Sequence, residues 1–161
     1  MAWTLELLKR LNDFGIEYAI VGGVAGVAHG SARSTNDVDI CTSLDEPHLS
    51  KLLLALKNIN PKLRMRPDRM RLPDDPARLQ GVRNLYLITD LGQIDIRGEL
   101  PGVGSFDDLK NRTIELDLGG VNCRVLDLDT LIVAKRAAGR RKDLVDIAEY
   151  EAIRQRRSAG P

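Results

Sequence analysis

The most constraining feature of this sequence is a double glycine, Gly22-Gly23, followed after thirteen residues by the Asp-Val-Asp run at 37–39. The apolar stretch Glu17–Val21 predicts a short strand that ends at the glycines. Residues 24–29 predict one or two helical turns, which Gly30 is suited to end. Glycines at a helix start let backbone N–H groups approach an anion, so this turn can cradle a phosphate. An ordinary turn without a ligand is the alternative.

Two carboxylates at alternating positions make the following strand a candidate metal site. On a strand, Asp37 and Asp39 project from one face, while Val38 and Ile40 point into the core. Neighbouring like charges repel each other and lose hydration when partly buried, and a divalent cation between them relieves that repulsion. Mg²⁺ prefers carboxylate oxygens and also accepts phosphate oxygens. The pair therefore predicts a magnesium site, against the alternative of two solvated aspartates on an edge strand.

A third carboxylate is predicted on a hairpin. Residues 84–90 and 93–97 alternate like two strands joined by a Leu-Gly turn. Asp95 lies between two isoleucines, so it is expected on the face that carries the first two aspartates. Three carboxylates on one face can hold two metal ions for a displacement at phosphorus. Asp90 and Glu99 are nearby rivals, and an amphipathic hairpin without a ligand is the alternative, but the flanking isoleucines favour Asp95.

The last part of the chain, about residues 127–157, predicts a pair of helices. Asp127 or Asp129 is placed to cap the first helix, and Gly139 to end it. The second helix is expected to begin near Arg140, and residues 154–161 are expected to fray. Its inward-facing residues are expected to be Leu144, Ile147, Ala148 and Tyr150.

Basic residues cluster around the break between these helices: Lys135, Arg136, Arg140, Arg141 and Lys142. A cationic cluster facing an acidic metal site suits a triphosphate, and Lys135 and Lys142 are the preferred phosphate contacts. Asp143 and Asp146 share a helix face, from which they can orient the lysines or pair with the arginines. A solvated, salt-bridged helix surface is the alternative.

The loop between the glycines and the aspartates offers further polar groups. Ser31 and Thr35 carry hydroxyl donors, and Arg33 can contact a phosphate or hold the aspartates in place. His29 is expected to pack or cap locally at the helix end rather than to act as a base.

The sequence resembles the DNA polymerase beta type nucleotidyltransferase superfamily. The resemblance rests on the apolar-Gly-Gly run, the Asp-Val-Asp pair after its thirteen-residue gap and the later strand aspartate. Within that superfamily, residues 127–146 are similar to a segment of the minimal nucleotidyltransferases and of the AbiEii-type proteins of toxin–antitoxin systems.

This resemblance implies an α/β (α+β) fold with a mixed β-sheet flanked by helices. It implies transfer of a nucleoside monophosphate from a triphosphate to an acceptor hydroxyl, with one or two Mg²⁺ ions held by the catalytic residues Asp37, Asp39 and Asp95. The acceptor would be RNA such as tRNA, a protein or a small molecule, and a toxin–antitoxin partner is implied. The nucleotide-binding residues would be Gly22, Gly23, Ser31, Arg33, Thr35, Lys135, Lys142, Asp143 and Asp146.

Length and composition fit one nucleotidyltransferase domain spanning residues 1–161. The net charge of +1 argues against a general nucleic-acid coat protein. Cys41 and Cys123 form no metal-ligand pattern, and the absence of a long apolar run predicts a cytoplasmic protein without a membrane partner. In the Pro-rich stretch 60–83, seven basic residues outnumber three acidic ones, which predicts a basic surface loop that either contacts the acceptor or phosphate or is a plain excursion.

Two other classes of function stay open at this point. One is a non-catalytic nucleotide-binding or antitoxin-like partner protein that keeps the fold. The other is a metal-dependent nuclease, because carboxylate clusters also serve phosphodiester hydrolysis.

Overall fold

A seven-stranded mixed β-sheet organises the chain in a computed structural model that describes residues 2–161, without the side chain of Trp3. The strands, in chain order, are β1 (Tyr18–Val21), β2 (Asp37–Thr42), β3 (Lys62–Leu63), β4 (Asn84–Thr89), β5 (Gly92–Arg97), β6 (Glu99–Leu100), β7 (Gly104–Ser105), β8 (Thr113–Leu118) and β9 (Val121–Leu126). The α-helices are α1 (Ala2–Asp13), α2 (Gly22–Ala28), α3 (Glu46–Leu56), α4 (Phe106–Leu109), α5 (Leu128–Ala138) and α6 (Asp143–Ser158). The predicted mixed α/β fold is confirmed.

The strand order of the large sheet is β3-β4-β5-β2-β1-β9-β8, and β6 pairs separately with β7. The central pairs β2–β5 and β1–β9 are parallel, whereas β1–β2, β3–β4, β4–β5 and β8–β9 are antiparallel. The predicted hairpin of residues 84–97 is β4–β5 and is confirmed, and β8 and β9 form a second hairpin. The parallel β2–β5 pair brings together two strands that are far apart in the sequence.

One face of the sheet is the hydrophobic core. Val38, Ile40, Ile94 and Ile96 are fully buried there, as their alternation with polar residues predicts. Helices α1 and α3 cover this face, and the Arg10 Nε of α1 donates to the carbonyl of Ala55 on α3 at 2.5 Å. On the opposite face, α2 packs on β1 and β2 and buries Ala19 and Val21, and the aspartates project beside it.

Local sequence signals fix several helix ends. Asp45 caps α3 by accepting a hydrogen bond from the His48 amide at 3.1 Å. Asp127 caps α5 in the same way through the Thr130 amide at 2.8 Å, and Gly139, with a φ of 65°, ends it. Of the two capping residues predicted for α5, Asp127 is therefore the one used.

The structure corrects three predictions in the helices. Helix α6 begins at Asp143 rather than near Arg140, so its buried residues are Asp143, Tyr150 and Ile153, and Leu144 is 63% exposed. The last residues were expected to fray, but α6 continues to Ser158, and the Arg157 guanidinium donates to the His29 carbonyl at 2.9 Å.

The third correction concerns the double glycine. Helix α2 starts directly at Gly22, so the glycines form its first turn rather than a turn before it. His29 closes this helix and is buried, with its Nε2 2.8 Å from the Leu126 carbonyl oxygen. The prediction that His29 packs locally is therefore confirmed.

The Pro-rich stretch 60–83 crosses the edge of the sheet. It contributes β3 to the sheet, and Leu72 anchors it by being buried in the core. A 3₁₀ turn spans Pro76–Leu79. Arg64 directly follows β3, and its amide donates to the Tyr86 carbonyl at 2.9 Å, so the segment brings this arginine next to β4.

Candidate active site

The three predicted carboxylates lie together on the polar face of the sheet. Asp39 on β2 is the register partner of Asp95 on β5 in their parallel pairing. Asp37, two residues before Asp39 on the same strand, projects from the same face. Asp95 is only 7% exposed. The sheet register therefore produces a cluster of three acidic side chains, which we call the acidic cluster.

Gly22 lies directly against the acidic cluster. A Cβ atom at this position would come within 2.5 Å of Asp39 Oδ2, and the φ of Gly22 is +62°, a conformation that favours glycine. A Cβ at Gly23 would lie 2.8 Å from Thr35 Oγ1. The double glycine therefore allows the backbone of α2 to approach the aspartates and the preceding loop closely.

The crowding of these carboxylates shifts their electrostatics. The pKa of Asp39 is raised to about 6, mainly by burial and then by the neighbouring Asp95 carboxylate. Arg97 opposes this rise of the pKa, Asp37 adds to it, and Lys135 opposes it weakly. Positive charge placed next to Asp39 would therefore stabilise the ionised form of this carboxylate.

Two arginines that no sequence motif marks supply part of this positive charge. Arg64 forms an ion pair with Asp95, and its own pKa is raised, first by that hydrogen bond. The Nε of Arg97 lies 4.0 Å from Asp39 Oδ1. Both arginines reach the site through strand pairing, so no motif in the sequence marks them.

Two residues of the basic cluster predicted near the helix break, Lys135 and Arg140, form an ion-pair network with Asp143 and Asp146, whereas Arg136 pairs with Glu151. Lys135 Nζ donates to Asp143 Oδ1 at 3.3 Å and to Asp146 Oδ2 at 2.8 Å. Arg140 Nε donates to Asp143 Oδ2 at 2.8 Å. Burial alone would raise the pKa of Asp143, but the hydrogen bonds from Arg140 and Lys135 outweigh it, so the pKa lies below its usual range.

The loop that joins the glycines to the aspartates is held against α6. The Ser31 hydroxyl donates to Glu149 Oε2 at 2.7 Å, and the Ala32 amide donates to Glu149 Oε1 at 2.8 Å. Arg33 forms an ion pair with Asp146, and the Thr35 hydroxyl donates to the Asp37 carbonyl at 3.2 Å. Glu149 was not predicted; its role depends on a contact between residues more than 100 positions apart, which the sequence does not reveal.

All the predicted site residues line a single cleft of about 510 Å³. Its floor is the acidic cluster, one wall is the start of α2 with the loop at 31–35, and the other is formed by α5 and α6. Tyr150, which closes the cleft from α6, packs on Gly26 of α2 so closely that a Cβ there would clash with its ring. The cleft thus joins glycines, carboxylates and basic side chains from five separate elements.

Within residues 2–161, no three His, Cys, Asp or Glu side chains converge closely enough to form a ready-made metal site. Arg64 is paired with Asp95, and Arg97 lies near Asp39. The donor chemistry nevertheless suits a hard divalent cation, because Asp37, Asp39 and Asp95 supply only carboxylate oxygens on one sheet face. Rotation of the side chains away from the arginines would be needed for them to share a cation.

Solved structures with a similar fold are nucleotidyltransferases. The chain is similar to the lincosamide antibiotic adenylyltransferase LnuA in its lincomycin-bound structure, with a TM-score of 0.67, 15% identity and coverage of 94% of this chain and 96% of that one. It is also similar to a nucleotidyltransferase structure from Thermotoga maritima, with a TM-score of 0.58, 17% identity and coverage of 91% and 89%.

A third similar structure is ANT(2")-Ia in complex with adenylyl-2"-tobramycin, with a TM-score of 0.53, 12% identity and coverage of 94% and 97%. These low identities establish the fold rather than the substrate. A comparison with curated proteins found no significant match. The fold is that of these nucleotidyltransferase structures.

Residues 4–156 match the family described as nucleotidyltransferase of unknown function (DUF6036), and the chain belongs to this family. The protein is thus a nucleotidyltransferase, an enzyme class that transfers nucleoside monophosphates. No helix in the described part of the chain combines the length and apolar character needed to cross a bilayer.

Proposed function

We propose that this protein uses Mg²⁺ to transfer a nucleoside monophosphate from a nucleoside triphosphate to an acceptor hydroxyl. The observation that carries the proposal is the juxtaposition of Gly22, Asp39 and Asp95: the glycine backbone lies against one carboxylate, and the sheet register places the other beside it. Lys135 lies in the same cleft. This arrangement combines a place for a triphosphate with a place for the cation that accompanies it.

Asp37, Asp39 and Asp95 would hold one or two Mg²⁺ ions, which when bound neutralise the triphosphate and favour departure of pyrophosphate. The raised pKa of Asp39 supports this assignment, because a bound cation would offset the cost of keeping that carboxylate ionised. Arg64 and Arg97 would have to share these carboxylates with the cation.

The triphosphate would lie between the start of α2 and the ion-pair network of α5 and α6. Gly22 and Gly23 keep side chains out of this space, while Ser31 and Thr35 line it with hydroxyls. Lys135 and Lys142 supply positive charge, and Asp143 and Asp146 hold Lys135 in place. Arg33, which is paired with Asp146 here, would turn to the phosphates only by leaving that partner.

In the reaction, the acceptor hydroxyl oxygen bonds to the α-phosphorus as the bond to the bridging oxygen of the β-phosphate breaks, and pyrophosphate leaves. Asp95 is the proposed acceptor of the hydroxyl proton. Positioning and charge neutralisation are expected to supply most of the rate enhancement.

The test is magnesium-dependent release of pyrophosphate from each of the four ribonucleoside triphosphates, alongside direct measurement of triphosphate binding. The double substitution D37N/D39N is expected to abolish release, whereas D13N, which removes an exposed carboxylate from α1, is expected to leave it unchanged. Undiminished release by D37N/D39N, or failure of the protein to bind any triphosphate, would refute the proposal.

A non-catalytic nucleotide-binding role is the second candidate. The ion pair of Arg64 with Asp95 favours this role, because it occupies the third carboxylate that a catalytic cation would need. Triphosphate binding without turnover in the presence of any acceptor would support it. An AbiEii-type toxin–antitoxin role, with its partner protein, rests on sequence resemblance alone and stays a prediction.

A further inference from the structure

Beyond Asp95, the polar face of the sheet continues as a positively charged surface. The antiparallel register places Tyr86 of β4 next to Asp95, and the chain after β3 places Arg64 next to Tyr86. Lys62 of β3 and Arg97 of β5 share this face by strand alternation. We call these four residues, Lys62, Arg64, Tyr86 and Arg97, the basic platform.

The platform is built around one aromatic ring. The guanidinium carbon of Arg64 lies 5.9 Å from the centroid of the Tyr86 ring, and that of Arg97 lies 5.6 Å from it. Arg97 Nη1 also approaches the Tyr86 hydroxyl at 3.5 Å. The arginine side chains are 22% and 26% exposed, so their outer edges remain accessible to a ligand.

The chain around the platform strengthens its positive charge. Segment 60–83 contains seven basic and three acidic residues. Among the described residues, only Arg64 and Arg66 of these seven form an ion pair with an acidic side chain, and the pair of Arg66 with Asp68 is more than half exposed. Exposed ion pairs contribute little, so Arg66 remains available to an anionic ligand.

The position of the platform defines its role. The groups proposed to hold the triphosphate, Gly22 and Lys135, lie at the start of α2 and on α5. The platform lies across the acidic cluster on β3, β4 and β5, with Arg97 also lining the cleft and Lys62, Arg64 and Tyr86 outside that lining. An acceptor hydroxyl must reach the α-phosphorus from the side away from the leaving pyrophosphate. The platform occupies the side of the carboxylates that the triphosphate site leaves free.

On the basis of the proposed function, we propose that the basic platform binds the end of a single-stranded polynucleotide, whose terminal hydroxyl is the acceptor. Guanidinium groups match phosphate oxygens in charge and geometry, and their planar faces can stack on a base, while the Tyr86 ring that both guanidiniums contact holds them in place. A polycationic acceptor would be repelled by the same surface. Of the alternatives stated for segment 60–83, contact with the acceptor or phosphate and a plain excursion, the proposal adopts contact with the acceptor and gives it a specific chemistry.

The primary test is binding of a fluorescent 12-nucleotide single-stranded RNA, measured by anisotropy at several salt concentrations without triphosphate or metal. The variant K62E/R66E is expected to weaken binding at least about tenfold and to reduce the slope of log Kd against log salt by about 2. Its matched control is K9E/K51E on α1 and α3, which makes the same charge change, also removes one exposed ion pair, and lies on the other face of the sheet.

A second measurement separates this inference from the proposed function. With labelled triphosphate and Mg²⁺, we expect label on the oligonucleotide, and K62E/R66E should raise the KM for the oligonucleotide while triphosphate binding is unchanged. If the RNA does not bind, or if the control variant weakens binding as much, the inference is wrong. Pyrophosphate release that depends on tobramycin, lincomycin or a protein but not on the oligonucleotide would likewise overturn it, while leaving the proposed function intact.

Discussion

Arg64 and Asp95 are 31 positions apart in the sequence, yet they form an ion pair at the edge of the acidic cluster. The Arg64 side chain is 22% exposed and the Asp95 side chain 10% exposed, so the pair is largely shielded from water. The Nε of Arg64 is buried without a hydrogen-bond partner in the described structure. The Arg64 guanidinium and a metal cation would therefore compete for the Asp95 carboxylate.

This competition leads to a prediction about cation affinity. In R64A, Asp95 loses its positive partner, and we expect Mn²⁺, as a probe of the site, to bind about tenfold more tightly, equivalent to about 1.4 kcal/mol. The measurement is a titration of Mn²⁺ followed by electron paramagnetic resonance, which needs no turnover. R66A is the control, because Arg66 pairs with Asp68 instead. Unchanged or weaker Mn²⁺ binding in R64A would show that the ion pair does not compete with the cation.

A second prediction concerns the contact between Gly22 and Asp39. In G22A, the new methyl group would lie within 2.5 Å of Asp39 Oδ2, and alanine disfavours the φ of +62°. We expect a loss of about 1–3 kcal/mol in the free energy of unfolding and at least a tenfold loss of activity, because Asp39 must move. Urea denaturation and pyrophosphate release measure the two effects.

The matched control for this substitution is G15A. Gly15 has a similar φ of +70°, but nothing lies within 4 Å of its Cβ position, so only the backbone strain is shared. G15A should therefore lose stability without losing catalytic activity in the folded fraction. Equal activity losses in the two variants would contradict a specific role for Gly22 beside Asp39.

Some of the site follows from sequence because it depends only on local alternation. The isoleucines on each side of Asp95 are fully buried, and this forces the carboxylate onto the polar face. Asp143 is predicted either to orient the lysines or to pair with the arginines, and it contacts both Lys135 and Arg140 because α5 and α6 are joined by a short connection.

Other parts of the site depend on which strands pair and where helices start. The positions of Arg64 and Tyr86 beside Asp95 require the order β3-β4-β5, which no local pattern specifies. The prediction that Leu144 faces inward was wrong, because the buried face of α6 carries Asp143, Tyr150 and Ile153, and the buried charge of Asp143 depends on partners in α5 and the connection before α6. The ordered end of α6 was missed because the contact of Arg157 with His29 joins residues 128 positions apart, which the sequence does not reveal.

Lys135 and Asp143 lead to a third prediction, on stability. Asp143 is 1% exposed, and Lys135 and Arg140 are its charged partners. In K135M, Arg140 remains but half of the compensation is lost, so we expect a loss of about 2–4 kcal/mol in the free energy of unfolding. K142M, which changes an exposed lysine next to the network, should stay within about 0.5 kcal/mol of the unsubstituted protein. A loss as small in K135M would mean that Arg140 alone compensates the buried charge.

The pH dependence of this network has a defined sign. Because the pKa of Asp143 is lower in the folded protein than in the unfolded chain, its contribution to stability is present above the unfolded pKa and is lost as the pH falls through the folded pKa. The difference in unfolding free energy between the unsubstituted protein and D143N should therefore shrink below about pH 4. A difference that is constant from pH 7 to pH 3 would contradict the assignment.

Asp39 behaves in the opposite way, which gives the last prediction. Its pKa is raised to about 6, so the ionised carboxylate destabilises the metal-free fold; this cost is absent below the unfolded pKa of about 3.9 and is complete above pH 6. In D39N, measured with a chelator present, we expect a gain in the free energy of unfolding of at most about 3 kcal/mol at pH 8 and almost none at pH 4. Added Mg²⁺ should stabilise the unsubstituted protein more than D39N, since only the former keeps the full set of carboxylates. A loss of stability in D39N at pH 8, or a gain that does not depend on pH, would mean that Asp39 is satisfied by Arg97 and carries no electrostatic cost that a cation would offset.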